Sequence, residues 1–304
     1  VSTNSLDLQA IAESKSDTAV DVFVYDTSKD SDGGAWRHRT QGTSWYNETL
    51  NTSTRGATKK FPAVAVIVVE AAQVTIYDGD DPDMPMWKSI GVSGDGAYTA
   101  QTAILGSGGD VTSVSALNGL LSIGSNTGAT GTTSMNGLTR LNFIADYVYG
   151  TNATYTYKWL GSLGDTATQA YWTNLGTGTA IVNLNINDVA MTVLPNAPID
   201  ADTGLPVPTI AVATNGGVSV VKDDGTVVDI TNSHATYVFV SKIVFDEDNR
   251  LYFVNGNNGP TISWVYMFKA IPSADNVITL NTKTGSTMNA DAMYDHRGIT
   301  GVAE

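Results

Sequence analysis

The sequence predicts an all-β protein built from antiparallel meanders, and three observations carry that prediction. From Thr209 to Phe268, short runs of β-branched and apolar residues alternate with Gly-bearing turns. Asn215-Gly216-Gly217 and Asp223-Asp224-Gly225 supply the positive-φ positions that tight hairpin loops require. Charged residues make up only 15% of the 304 residues, against ~25% in ordinary soluble domains, and Thr, Ser, Asn and Gly take their place. The meander strands also carry little charge on either face, as expected of sheets covered on both sides.

Composition narrows the function classes. Hydrophobic residues are 42% of the chain, enough for a real core and against wholesale disorder. The net charge of −14, with no Lys/Arg cluster beyond Arg55–Lys60, speaks against a nucleic-acid partner. Cys is absent, so no disulfide holds the fold and no thiolate chemistry is at hand. The longest apolar run, Ala63–Val69, is strand-sized and far short of a membrane span.

Read in order, residues 1–19 form a polar arm whose apolar spine is Leu6, Leu8, Ile11 and Ala12, either a short helix or a loose segment. An N-terminal β module is expected over residues 20–90. It opens with the alternating strand from Val20 to Asp26, then a long aromatic loop carrying Trp36, Trp45 and Tyr46. The buried strand Phe61–Glu70 follows, with its partner Val74–Tyr77. Residues 91–110 are rich in Gly, Ser and Thr and read as a linker. Residues 111–304 read as repeats: strand, Asn118-Gly119 turn and strand from Val111; Leu138–Ile144 and Asp146–Tyr149; an aromatic excursion or strand pair over Gly150–Gly178; Ile181–Leu194; then a Pro-rich extended connector, Pro195–Pro208. Strand onsets near residues 114, 189 and 239 are unevenly spaced, so loops of very different lengths must join the repeats.

Two resemblances add to this reading. The hairpin from Val244 to Val254 resembles the Phe-Asp-x-x-Gly/Asn-x-Leu-Tyr-Val hairpin of many β-propeller blades, which makes the repeats propeller-like blades of an incomplete or irregular propeller. The runs Asp30–Glu48, Phe61–Val68 and Ile76–Trp87 resemble a module in structural proteins of marine bacteriophages, long tail-fibre-like virion proteins. Asp188 to Ile230 resembles the propeller-like part that follows it there. The resemblance covers about two-thirds of the chain. It implies a virion structural protein, a tail-fibre or appendage component that mediates assembly and host-surface attachment, and it carries no catalytic residues to transfer. Its implied partners are other virion subunits, further copies of the chain and a host-surface glycan or protein. A secreted carbohydrate-active propeller enzyme using an Asp/Glu pair, or a bacterial surface adhesin, is the alternative.

Candidate sites are few. Trp36, Arg37, Arg39, Trp45 and Tyr46 form an Arg/aromatic set of the kind enriched in interface cores, so they are expected to mediate an inter-subunit contact while packing onto the Phe61–Val69 strand. Asp78, Asp80, Asp81 and Asp83 repel one another unless a cation, Ca²⁺ by chemistry, or Arg37 and Arg39 lies among them. Asp26, Asp30 and Asp32 before Gly33-Gly34 read as an ordinary Asp/Gly turn. The three histidines, His38, His234 and His296, have no zinc-site spacing, and no nucleophile elbow or phosphate loop is present, so the reading is of a non-enzyme. Met293–Glu304 ends on a pattern like the opening of another blade. The sheet system is therefore expected to continue beyond Glu304, or to be completed by a neighbouring subunit pairing with Ile299–Ala303.

Overall fold

The apolar alternation does become sheet. The computed structural model describes residues 17–93, 104–107, 109–126, 137–161, 163–164, 172–177, 180–256, 263–278 and 292–295. It is an all-β fold of four sheets arranged as the blades of a four-bladed β-propeller. Blade one holds β1 (Ala19–Asp26), β2 (Val64–Glu70), β3 (Gln73–Asp78), β4 (Met86–Ser93) and β5 (Leu105–Ser107). Blade two is the meander β6 (Val111–Leu117), β7 (Leu120–Ser125), β8 (Leu138–Asn142), β9 (Tyr147–Thr151), β10 (Thr156–Trp159) and β11 (Trp172–Gly176). Blade three contains β12 (Ile186–Thr192), β13 (Thr209–Thr214), β14 (Gly217–Val221) and β15 (Val227–Asn232). Blade four contains β16 (Phe239–Phe245), β17 (Leu251–Gly256) and β18 (Ser263–Phe268). In chain order β19 (Asn276–Ile278) then returns to the edge of blade three, and β20 (Ala292–Asp295) completes blade four.

The region read as a separate N-terminal module is thus the first blade. It shares one hydrophobic core with blade two: Tyr25, Ile67, Ile76 and Trp87 from the first pack with Val114, Leu121, Leu141 and Trp159 from the second. Within the expected linker, Leu105–Ser107 is a strand parallel to β4, while residues 94–103 lie outside the described residues. Most of the expected arm and the Ile299–Ala303 segment lie outside them as well. The aromatic stretch after Gly150 is a strand pair, with Trp159 and Trp172 edge-on at 5.3 Å.

The turns follow their chemistry. Asn118 and Gly119 have φ of 53° and 71°, the pair of left-handed residues of a two-residue hairpin turn. A Cβ at Gly119 would come within 2.7 Å of the Ile144 side chain, so space as well as φ selects glycine there.

Each blade begins with its innermost strand, and these stack in turn: β1 on β6, β6 on β12, β12 on β16. All four share one irregularity. The register slips between Ala19 and Asp21, Val111 and Ser113, Ile186 and Asp188, and Val240 and Lys242. A bulge at the same place in every inner strand aims the next side chain along the stack. The Val114 amide donates to Asp21 (3.1 Å), the Ser113 hydroxyl donates to Asp188 (2.9 Å), and the Ile243 amide donates to Asp188 (2.9 Å). Lys242 stands 3.5 Å from the same Asp188 carboxylate. Adjacent blades are therefore pinned by polar rungs as well as by apolar packing.

Burial holds Asp188 and Asp30 above the ordinary carboxylate value of 3.8, despite the hydrogen bonds each accepts. A carboxyl that binds its proton more tightly in the folded state adds stability as pH falls, and that contribution is lost as pH rises through the interval between 3.8 and its folded value. Asp26 and Asp224, held low by hydrogen bonds from Ser28 and Thr226, lose their contribution only below the ordinary range. The melting temperature is accordingly expected to rise when the chain is taken from neutral to mildly acidic pH in low salt. A steady fall over that interval, by calorimetry, would contradict the assignment.

Candidate functional site

The Arg/aromatic loop lies inside the molecule. Trp36 and Trp45 are fully buried, ringed by Phe61, Trp87 and Phe143 at centroid distances such as 4.8 Å for Phe61–Trp87 and 5.2 Å for Trp36–Phe61. Their indole N–H groups are also satisfied: Trp36 donates to Asp30 (2.7 Å) and Trp45 to the Phe143 carbonyl (2.9 Å). Tyr46 packs half-buried beside them. Arg37 donates to the Phe61 carbonyl at 2.8 Å, and Arg39 pairs with Asp32 at 2.8 Å on the surface. The expectation of an inter-subunit contact through Trp36 and Trp45 is therefore corrected. An interface residue must be reachable, and the stronger demand here was to fill the space between blades one and two.

At Asp78, Asp80, Asp81 and Asp83 the sequence left a cation or an arginine partner open, and the structure brings Arg37 to the group. Among the described residues no group of three or more carboxylates or histidines has metal-holding geometry. Asp80 accepts from the Ala63 and Val64 amides (2.6 and 3.1 Å), with Arg37 at 3.7 Å. Asp78 accepts from the Asp80 amide and Asp81 from the Asp83 amide. The backbone amides of the turn, with Arg37, offset part of the repulsion.

A second buried cluster supports the same loop. Glu48 lies between Lys88 (2.6 Å) and Arg55 (3.2 Å, an ion-pair contact rather than an aligned hydrogen bond), with both cations buried. Arg55 also lies 4.3 Å from the Trp87 ring and donates to the Trp87 carbonyl at 2.6 Å.

The concave site lies elsewhere, between blades two and three under the Pro195–Pro208 connector. It is a pocket of about 140 Å³. Arg140 on β8, Tyr147 and Tyr149 on β9, Asp200 in the connector and Lys222 and Asp223 after β14 are its polar lining. Strand alternation turns Arg140 and Tyr149, which are paired across β8 and β9, to one face of the sheet. The guanidinium donates one hydrogen bond, to Thr151 (3.0 Å), and stands 5.8 Å from the Tyr149 ring. Its Nε is buried with no hydrogen-bond partner, and no carboxylate pairs with it among the described residues. Tyr147 is edge-on to Tyr149 at 4.9 Å, and its hydroxyl accepts from Asn142. Lys222 and Asp223 also line a neighbouring open groove of about 450 Å³ with Asn249 and Lys269. An incompletely bonded guanidinium beside a tyrosine wall can accept a carboxylate while the ring covers an apolar face of the ligand.

The sequence reading missed this site. Its one visible signal was Arg140, a lone charge inside the otherwise apolar and neutral run Leu138–Ile144.

No family model and no curated protein matches the chain. Among solved structures it is similar to the extracellular domain assigned to a one-component system of Bacteroides thetaiotaomicron (TM-score 0.27, 11% identity), covering 78% of this chain and 36% of that one. It is also similar to an auxiliary nutrient binding protein of the same species (TM-score 0.25, 10% identity, 62% and 63% covered). A third likeness is to Kluyveromyces lactis Hsv2 (TM-score 0.27, 10% identity, 78% and 80% covered). The chain thus spans about a third of the first of these proteins, and at such scores none of them bears on what it does.

Because Trp45 fills core space, Trp45→Ala is expected to cost about 3–5 kcal/mol of stability. Denaturant unfolding of the variant measures it. A change in association without loss of stability would return Trp45 to an interface role.

Proposed function

We propose that the chain is a non-enzymatic structural component of a bacteriophage virion, part of a tail fibre or other appendage that assembles with further subunits and touches the host surface. The groove between blades two and three is its point of contact, and the ligand it takes there is an acidic glycan. The observation that carries this reading is the Arg140 guanidinium, set in a pocket with a free, buried Nε and a tyrosine wall. A buried charge without its partner is costly, and a ligand carboxylate would relieve that cost. At ~30 Å³ per water the pocket holds about five waters, close to the space of a single sugar ring. The open groove beside it, reached past Lys222, gives room for a neighbouring sugar. The virion setting is supported by the resemblance of Asp30–Glu48, Phe61–Val68 and Ile76–Trp87 to phage structural modules. The same reading implies a particle-borne, extracellular location. No helix among the described residues is long and apolar enough to cross a membrane.

Titration with glucuronate, glucose and a short uronate oligosaccharide tests the reading. Glucuronate is expected to bind and glucose to bind far more weakly, with the oligosaccharide tightest. Arg140→Met should weaken uronate binding by about ten-fold or more, the value of a charge-assisted hydrogen bond, while Arg140→Lys retains part of it. Equal binding of glucose and glucuronate, or none of either, would count against the groove as an acidic-glycan site.

A further inference from the structure

The inner-strand bulges put the four blades in one common numbering. Asp21, Ser113, Asp188 and Lys242 follow the register slip in their blades, so Val22, Val114, Val189 and Ile243 occupy equivalent positions. Val114, Val189 and Ile243 are 2%, 5% and 5% exposed, each covered by the blade before it. Val22 is 46% exposed, and on the same face Val20 and Val24 are 55% and 42% exposed. Among the described residues, blade one therefore presents uncovered the face that every later blade buries. The far face of blade four is open in the complementary sense. Val244 is 56% exposed where its equivalents Ser115 and Ala190 are buried, and the Lys242 side chain is 65% exposed.

We propose that these two faces bind each other between copies, blade four of one chain packing head-to-tail on blade one of the next through Val244 and Lys242 against Val20, Val22 and Val24. The stacking already seen three times in the chain is the pattern for this fourth junction. Charge agrees with it. In the existing stack, residues after the bulge meet across neighbouring blades: Ser113 donates to Asp188 from one side, and Lys242 pairs with Asp188 from the other. At the new junction the counterparts are Lys242 and Asp21, a cation facing a carboxylate. An interface made of two different patches is heterologous, so the association propagates to a ring or a filament and does not stop at a two-fold dimer. This goes beyond the attachment reading and does not depend on what the Arg140 pocket binds.

Mass photometry and sedimentation on the whole chain test it with substitutions at exposed positions, which leave the core intact. The wild-type chain is expected to form multiples of its 32.0 kDa mass. Val22→Lys alone and Val244→Lys alone should each be monomeric, since every junction then lacks one competent face. An equimolar mixture of the two should give a one-to-one dimer and nothing larger, because a single intact junction remains. A monomeric wild-type chain, a mixture that stays monomeric, or association that survives Val22→Lys would each overturn the proposal. Circular dichroism melts of both variants, expected to match the wild type, separate loss of association from loss of fold.

Discussion

The Asp30 carboxylate is the interaction on which the first half of the structure depends. It accepts from the Tyr25 hydroxyl (2.6 Å), the Trp36 indole (2.7 Å) and the Asn118 amide (2.7 Å), which joins the inner strand of blade one, the aromatic loop and the first hairpin turn of blade two. The same turn returns two bonds: the Gly119 amide donates to the Tyr25 hydroxyl, and Asn118 Oδ1 accepts from the Ser31 amide. The Asn118 side-chain amide goes on to the Pro206 carbonyl in the connector that roofs the pocket. Without Asp30, the Tyr25 hydroxyl and the Trp36 indole would be stranded polar groups in an apolar core. The position of the connector, and hence the shape of the groove, is set through the same residues. A second clasp repeats the device, with Asp146 accepting from the Ser44 amide and hydroxyl, both at 2.7 Å.

This arrangement explains which parts of the fold could be read from the sequence. The turns at Asn118-Gly119, Asn215–Gly217 and Asp223–Gly225 were legible because the positive φ of Asn118, Gly119, Gly217 and Gly225 selects residue types directly. The alternation of the strands was legible because one-face burial writes a period of two. The sequence set an N-terminal β module before the blades, and what it did not reveal is that the sheet of this module is itself the first blade. The evidence for blade one being a blade is the bulge shared by Asp21, Ser113, Asp188 and Lys242, and those four residues differ in charge and lie at unequal spacings. A backbone irregularity leaves no residue signature when its role is to aim whatever side chain follows.

How the candidate site residues are placed was hidden from the sequence for a different reason. Trp36 with Arg37, or Trp45 with Tyr46, looks the same in sequence whether the indole faces solvent or core. Only the distant partners Phe61, Trp87 and Phe143 decide it, and those contacts are set by tertiary packing. The four carboxylates of Asp78–Asp83 looked like a cation site because sequence counts charges and cannot count backbone amides. In the structure the amides of Ala63, Val64, Asp80 and Asp83 answer that charge. Arg140 is the reverse case. A single charge in a neutral strand draws little notice, and its meaning comes from the lack of a paired carboxylate among the described residues and the presence of Tyr147 and Tyr149, none of which the local sequence states.

Placing the groove and the open blade faces in different parts of the molecule has a physical consequence. The groove is lined by blades two and three and their connector, whereas the open faces belong to blades one and four. A copy can then be held in an assembly without covering its own pocket. A one-ring pocket with one guanidinium holds a sugar weakly, because the cost of ordering the ligand consumes much of a small contact. Copies joined head-to-tail would present that weak site repeatedly, and a polymeric glycan spanning several of them would gain avidity without any new contact being made. A net charge of −14 on every copy opposes stacking through like-charge repulsion, so the Lys242–Asp21 contact of the proposed junction would be a local exception in which opposite charges meet.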